Sequence, residues 1–326
     1  MDTNRQAPSR FAQRLIVALA VILFLSAIVQ ATNFLYSRTS DAYMLRPDNI
    51  LAGFSEAPNQ YRILVPLLNG LLWRTGHFNA ERSDRVVILA SIVLCYLAAG
   101  ALFLKSSGSV PAAMLALVAL LGSFAFGMTF KYRQEFFDVA FVSLFFLILI
   151  RGRPRGWTCI LLAIITALGA LNRETFAFCI TGMIAHLWSS RREMGKGSAL
   201  RDASGVLVLC LIFVAVFVGV RNHFGLASYQ GGFWTFHGNI RNLKALFEPH
   251  NALYMGSGLL LVYVATLALG NRHYLAFILG YGIPMLLVAF FISRYYEHRI
   301  FYPLMVFLTA SIIGFLMKRE PAPGGR

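Results

Sequence analysis

The stretch Trp157 to Trp188 reads WTCILLAIITALGALNRETFAFCITGMIAHLW and is apolar except for Asn172-Arg173-Glu174 at its middle. A helix rises about 1.5 Å per residue, and about 20 apolar residues cross the hydrocarbon of a bilayer. One tilted helix over the whole stretch would hold both charges inside lipid, at a few kcal/mol each. Two crossings joined at the triplet avoid that cost, so the sequence predicts a helical hairpin with its tight turn at residues 172–174. Helix is the expected form because it bonds every backbone polar group within one segment, without a partner strand.

The same pattern extends outward in both directions. Apolar segments fall at 11–31, 86–104, 111–130, 136–150, 157–171, 175–188, 205–220, 257–270, 275–292 and 299–316. The predicted fold class is all-α: a polytopic transmembrane helical bundle of about ten crossings. It forms a single transmembrane domain over 1–317, with outer loops 32–85 and 221–256 and a disordered cytoplasmic tail over 318–326. Composition agrees. The chain is 58% hydrophobic and 13% charged, against about 45–50% and about 25% for soluble domains. The N-terminal run Phe11 to Ala31 is long for a signal-peptide core and reads as an uncleaved first helix; cleavage near Ala31 is the alternative.

The net charge of +15 raises nucleic acid as a partner. The basic residues instead sit in short clusters between apolar runs, which is the pattern of topology signals and lipid-headgroup contacts. No nucleic acid is expected. Cys95, Cys159, Cys179 and Cys210 each lie within an apolar run without metal-ligand or disulfide spacing, and read as small apolar residues. The seven histidines include no pair at i, i+4, so a histidine metal site is not expected. The densest short basic loops are 151–156 and 191–201. Placing them in the cytoplasm puts both termini inside, in an integral protein of a bacterial inner membrane. Ile63 to Trp73 is then an outer apolar segment too short to span, expected as an interfacial helix in the first outer loop.

Under this topology five polar clusters share the outer face. They are Asp41-Ala-Tyr43 with Asp48; Gln60-Tyr-Arg62; Lys131-Tyr-Arg133-Gln-Glu135-Phe-Phe-Asp138; Asn172-Arg173-Glu174; and Arg294-Tyr-Tyr-Glu297-His298-Arg299. Each has a bland reading. Asp41 and Asp48 could be solvated loop acids, and Arg62 a snorkelling headgroup anchor. Arg133 could pair with Glu135 or Asp138 as structural glue. Arg173 and Glu174 could form a turn pair, and Glu297 and Arg299 an interfacial ion pair. Charges at a hydrocarbon boundary are expensive unless paired or cavity-solvated, so five mixed-sign clusters at one depth predict a common polar cavity. Gly280-Tyr-Gly282-Ile-Pro284 interrupts a crossing segment, as a packing kink or as a broken helix lining a site.

Arginine presents a fork of donors that matches phosphate oxygens. A carboxylate beside it can take a proton from an attacking hydroxyl. Arg62, Lys131, Arg133, Arg173 and Arg299, with Glu174, Glu297 and His298, are the expected substrate and phosphate contacts.

The layout resembles the GT-C superfamily of polyprenyl-phosphate-dependent glycosyltransferases. Asp41-Ala-Tyr43 stands in the first outer loop, where that group carries its catalytic acid. Glu135 and Asp138 stand where it often carries a second acidic motif. The resemblance implies Asp41 as general base. Ala42 departs from the group's adjacent acid pair, which leaves Asp48 as the alternative. It implies Glu135 and Asp138 as acids that orient the acceptor or hold Mg²⁺ or Mn²⁺; no other cofactor is implied. The expected activity is sugar transfer from a polyprenyl-phosphate lipid donor to a glycan, lipid or protein acceptor at the extracytoplasmic face, among membrane lipids. Rival readings are a lipid or small-solute transporter or flippase, a lipid-linked glycan polymerase or ligase, and an assembly subunit without chemistry.

Overall fold

The computed structural model describes residues 15–16, 18–19, 21–22, 25, 62–126, 134–152, 154, 156–190, 196–224, 272–291 and 302–316. The predicted crossing 257–270, the tail and most of both outer loops lie outside these residues. The described positions between 15 and 25 are helical. The remaining helices are α1 (Leu64–Arg74), α2 (Ala80–Ser107), α3 (Val110–Phe126), α4 (Gln134–Ile150) and α5 (Trp157–Asn172). A 3₁₀ turn (Glu174–Phe176) leads into α6 (Ala177–Ser190), followed by α7 (Lys196–Phe224), α8 (Arg272–Phe291) and α9 (Tyr302–Leu316). Among the described residues there is no strand.

The turn expected at 172–174 is present. α5 stops at Asn172, and the Arg173 amide donates to the Gly169 carbonyl at 2.7 Å. The turn then lays the Phe176 ring on Gly169, where any Cβ would collide with it. Phe176 is fully buried and meets Phe145 of α4 edge-on at 5.7 Å.

Among the described residues, two helices are long and apolar enough to cross a membrane: 82–107 within α2 and 201–224 within α7. Val110–Leu120, Trp157–Asn172, Leu275–Val288 and Tyr302–Gly314 are shorter apolar helices. In α2, Ile88, Ile92, Cys95, Ala99 and Leu102 are buried, while Val86, Leu89, Val93, Leu97 and Leu104 are exposed on another face. A helix that is apolar all round is made for a hydrocarbon environment or for complete burial. α7 goes further, leaving Leu207, Leu211, Val214 and Val218 exposed as a stripe at helical spacing. An exposed apolar surface of that kind marks contact with lipid or with a partner.

The core is aromatic where α4, α8 and α9 meet. Phe146 lies 4.4 Å from Phe277 and 4.9 Å from Phe307, and the Phe307 ring stands edge-on to Tyr281 at 5.3 Å. Edge-to-face pairs of this kind contribute about 0.5–1.5 kcal/mol each beyond area burial. α2 packs along α4 and α3, and α6 along α8.

The α6–α8 seam accounts for the Gly280 to Pro284 interruption. α8 is continuous through Pro284. A proline has no amide hydrogen, so the carbonyl four residues earlier, that of Gly280, loses its helical donor. Thr181 of α6 supplies one: its hydroxyl lies 2.7 Å from the Gly280 oxygen, nearer than the Phe178 carbonyl in its own helix at 3.0 Å. A neighbouring threonine is a usual means of satisfying a freed carbonyl in lipid. Gly280 allows the approach, since a Cβ there would meet the Thr181 carbonyl oxygen at 2.8 Å. The helix thus runs unbroken through the interruption, closely packed on α6.

Candidate functional site: a buried charge cluster at one end of the bundle

Three separate stretches of chain bring charges together at one end of the bundle. Arg62 immediately precedes α1, Glu135 and Asp138 lie in the first turns of α4, and Arg173 and Glu174 form the turn after α5. α1 is held against α2 by Asn69, whose side-chain amide donates to Asp84 at 3.1 Å. That contact fixes the helix that Arg62 leads into.

The inner half of the cluster is an ion pair. An Arg173 terminal nitrogen donates to Asp138 Oδ2 at 3.2 Å, with both side chains about 5% exposed or less. The outer half is looser. Arg62 Nε lies 4.0 Å from Glu174 Oε2, and these side chains are 11% and 21% exposed. The groups act on one another as a network: Arg173 feels Asp138, Glu135 and Glu174, and Asp138 also feels Arg62. Arg173 lies in the turn between helices. Its own burial opposes the positive charge, but the carboxylates of Asp138, Glu135 and Glu174 outweigh that and hold its pKa above the ordinary arginine value. Arg173 Nε is buried and has no hydrogen-bond partner among the described residues.

Several expected roles change. Arg173 and Glu174 are not a turn pair: one reaches down to Asp138 and the other faces Arg62. Asp138 takes a cation from the turn after α5, while the expected pairing with Arg133 falls outside the described residues. Arg62 is mostly covered and directed at a carboxylate, unlike a solvated headgroup anchor. Glu135 is 2% exposed, so it sits within the cluster and not at a water-facing loop. Asp41, Asp48, Lys131, Arg133, Glu297, His298 and Arg299 lie outside the described residues.

Taken by themselves, the described residues do not suit a divalent cation. Among the described residues no group of three or more His, Cys, Asp or Glu side chains could hold a metal. The Arg173 guanidinium already stands against Asp138 where a cation would have to bind. Among the described residues, Mg²⁺ or Mn²⁺ at Glu135 and Asp138 finds no further donor to complete its shell.

Two neighbours of the cluster were not expected from the sequence. Tyr281, fully buried on α8, lies within electrostatic reach of Asp138 and Arg173, and Cys179 of α6 within reach of Asp138. The signal for Tyr281 was available, as a polar aromatic between Gly280 and Gly282 just before Pro284.

Comparison with protein-family models, curated proteins and solved structures finds no match.

Proposed function

We propose that the chain is a polytopic membrane glycosyltransferase of the GT-C kind. It moves a sugar from a polyprenyl-phosphate donor to an acceptor at the extracytoplasmic face. One observation carries the proposal: Arg62, Glu135, Asp138, Arg173 and Glu174, from three distant stretches, meet at one end of a helical bundle with apolar flanks. In this reading the shorter apolar helices also cross, with flanking residues and local thinning of the bilayer making up their length.

Two arginines and a lipid-facing scaffold suit a substrate with a phosphate head and an isoprenoid tail. The Arg173–Asp138 pair is the frame. The Arg62–Glu174 pair is the working part: at 4.0 Å it is loosely closed and exchanges carboxylate for phosphate at little cost. As the sugar departs, charge builds on the phosphate, and fixed guanidinium donors stabilise it without reorganisation. Asp41, with Asp48 as the alternative, takes the acceptor's proton. Transport would have been favoured by a broken helix at Gly280 to Pro284, and α8 is continuous there.

The test is transfer from a radiolabelled polyprenyl-phosphate sugar by purified protein, comparing wild type with Arg62→Gln, Asp41→Asn and Asp48→Asn. Wild type turns over, Arg62→Gln is impaired, and one of the two aspartate variants is silent. Full activity in both aspartate variants removes the assigned bases; flux of ligand into liposomes without turnover favours transport. Orientation is tested separately: a cysteine introduced at Gly152 resists a membrane-impermeant label added to intact cells, and ready labelling overturns it.

A further inference from the structure

A second concavity lies at the opposite end of α5, about 24 Å from the charge cluster by the length of that helix. It has a volume of about 490 Å³ and is shared by the start of α5, the end of α6 and the start of α7. Concavities of this size hold small ligands. Leu162, Met183, Leu187 and Leu209 make its floor apolar, and Arg201 stands at its rim. Gly205 of α7 also lines it, and a Cβ there would meet no atom within 4 Å, so the open space reaches the helix backbone. Trp157, the first residue of α5, is 78% exposed beside it. An exposed indole at a helix end marks the headgroup layer of a membrane.

The geometry points to a binding site for one acyl chain of an anionic phospholipid, with the lipid phosphate at Arg201. The polar groups of the rim are not equivalent. The Ser204 hydroxyl donates to the Arg201 carbonyl at 2.8 Å, and Asp202 has a partner of its own. Arg201 is exposed, and its guanidinium makes no ion pair among the described residues. The charge of this end selects the head, and it is positive with every acid counted in full. The stretches 151–156 and 191–202 carry seven Arg and Lys residues against Glu193 and Asp202. Basic clusters beside a membrane attract anionic lipids and fall off with salt. A zwitterionic lipid brings no net charge for that surplus to attract, and a diacylglycerol brings no phosphate for Arg201. A free phosphate ion would leave the apolar floor uncovered. This site stands apart from the sugar-transfer proposal and shares only the membrane setting with it.

The test is photolabelling of the full chain in neutral-detergent micelles by phosphatidylglycerol with a diazirine on one acyl chain, mapped by peptide mass spectrometry. Label is expected on the floor peptides that hold Leu162, Met183 and Leu187. Unlabelled dioleoyl phosphatidylglycerol displaces it at a concentration at least about fivefold lower than dioleoyl phosphatidylethanolamine. Dioleoylglycerol and inorganic phosphate displace it less than either lipid. Arg201→Gln raises the phosphatidylglycerol concentration needed about fivefold, and Arg201→Lys raises it less. Gly205→Phe fills the concavity from a position with open space and removes the floor label, while its thermal unfolding stays near that of wild type. Label absent from the floor peptides, displacement by phosphatidylethanolamine, dioleoylglycerol or inorganic phosphate as effective as by phosphatidylglycerol, or unchanged displacement in Arg201→Gln overturns the assignment. So does full floor labelling of Gly205→Phe.

Discussion

Two ion pairs sit side by side at one end of this molecule and differ in kind. Arg173–Asp138 is short and closed off, at 3.2 Å with both partners at about 5% exposure or less. Arg62–Glu174 is stretched to 4.0 Å and partly open. Two buried charges are costly to bring together and costlier to separate, because removing one leaves the other uncompensated. A pair stretched to 4.0 Å and less fully cut off from water gains less from its attraction. The contrast divides labour within one cluster: the inner pair fixes how α4 meets the turn after α5, and the outer pair is the one that the proposed function assigns to the ligand.

The strongest way to break that contrast is to strip the inner pair. Asp138→Asn should lose about 3–5 kcal/mol of stability, read as a lowered midpoint of thermal unfolding in detergent. The double variant Asp138→Leu/Arg173→Met should recover most of it. If Asp138→Asn melts like wild type, the inner pair is not the frame.

The α6–α8 seam that carries Tyr281 toward Asp138 is the next test. Gly280→Ala places a Cβ 2.8 Å from the Thr181 carbonyl oxygen and 2.5 Å from the Ala185 Cβ. Backbone cannot yield there as a flexible side-chain tip would, so a loss of about 1–3 kcal/mol is expected. Thr181→Val keeps the shape but removes the donor to the Gly280 carbonyl, and should cost about 1–2 kcal/mol in the same assay. A threonine variant as damaging as the glycine one would make the hydrogen bond, rather than the close approach, the main tie.

The smallest stability effect belongs to the outer pair. Arg62→Gln and Glu174→Gln should each shift unfolding by less than about 1 kcal/mol. A loss as large as that of Asp138→Asn would erase the distinction between the pairs.

Much of this was legible in the sequence. The turn at 172–174 followed from the cost of two charges in lipid, and α4, α5 and α6 lie within a few residues of their expected limits. The length of α2 and α7 was not legible from hydropathy. α2 begins at Ala80, ahead of the apolar run, because Asn79 caps it by accepting the Arg82 amide at 2.8 Å. α7 likewise starts in the polar stretch at Lys196. Hydropathy marks where a helix meets apolar surroundings, and capping marks where its hydrogen bonds end.

For the site, residue types and one-ended placement were readable, since Arg62, Glu135, Asp138, Arg173 and Glu174 do converge. The partners were not. Local spacing favours Arg173 for Glu174, next to it in the turn. The observed pairs join residues 35 and 112 positions apart, which depends on how α1, α4 and α5 pack. Gly280 to Pro284 shows the same limit: a freed carbonyl can be inferred from Pro284, but not that Thr181 answers it.

The most direct measurement is the rate of sugar transfer from a radiolabelled polyprenyl-phosphate donor by Arg62→Gln protein, taken beside its thermal unfolding. Removing a fixed donor to developing charge should slow transfer about 100-fold while the unfolding midpoint stays near that of wild type. Transfer at the wild-type rate by Arg62→Gln, or no transfer by wild type from any such donor, would contradict the assignment of this cluster to phosphate chemistry.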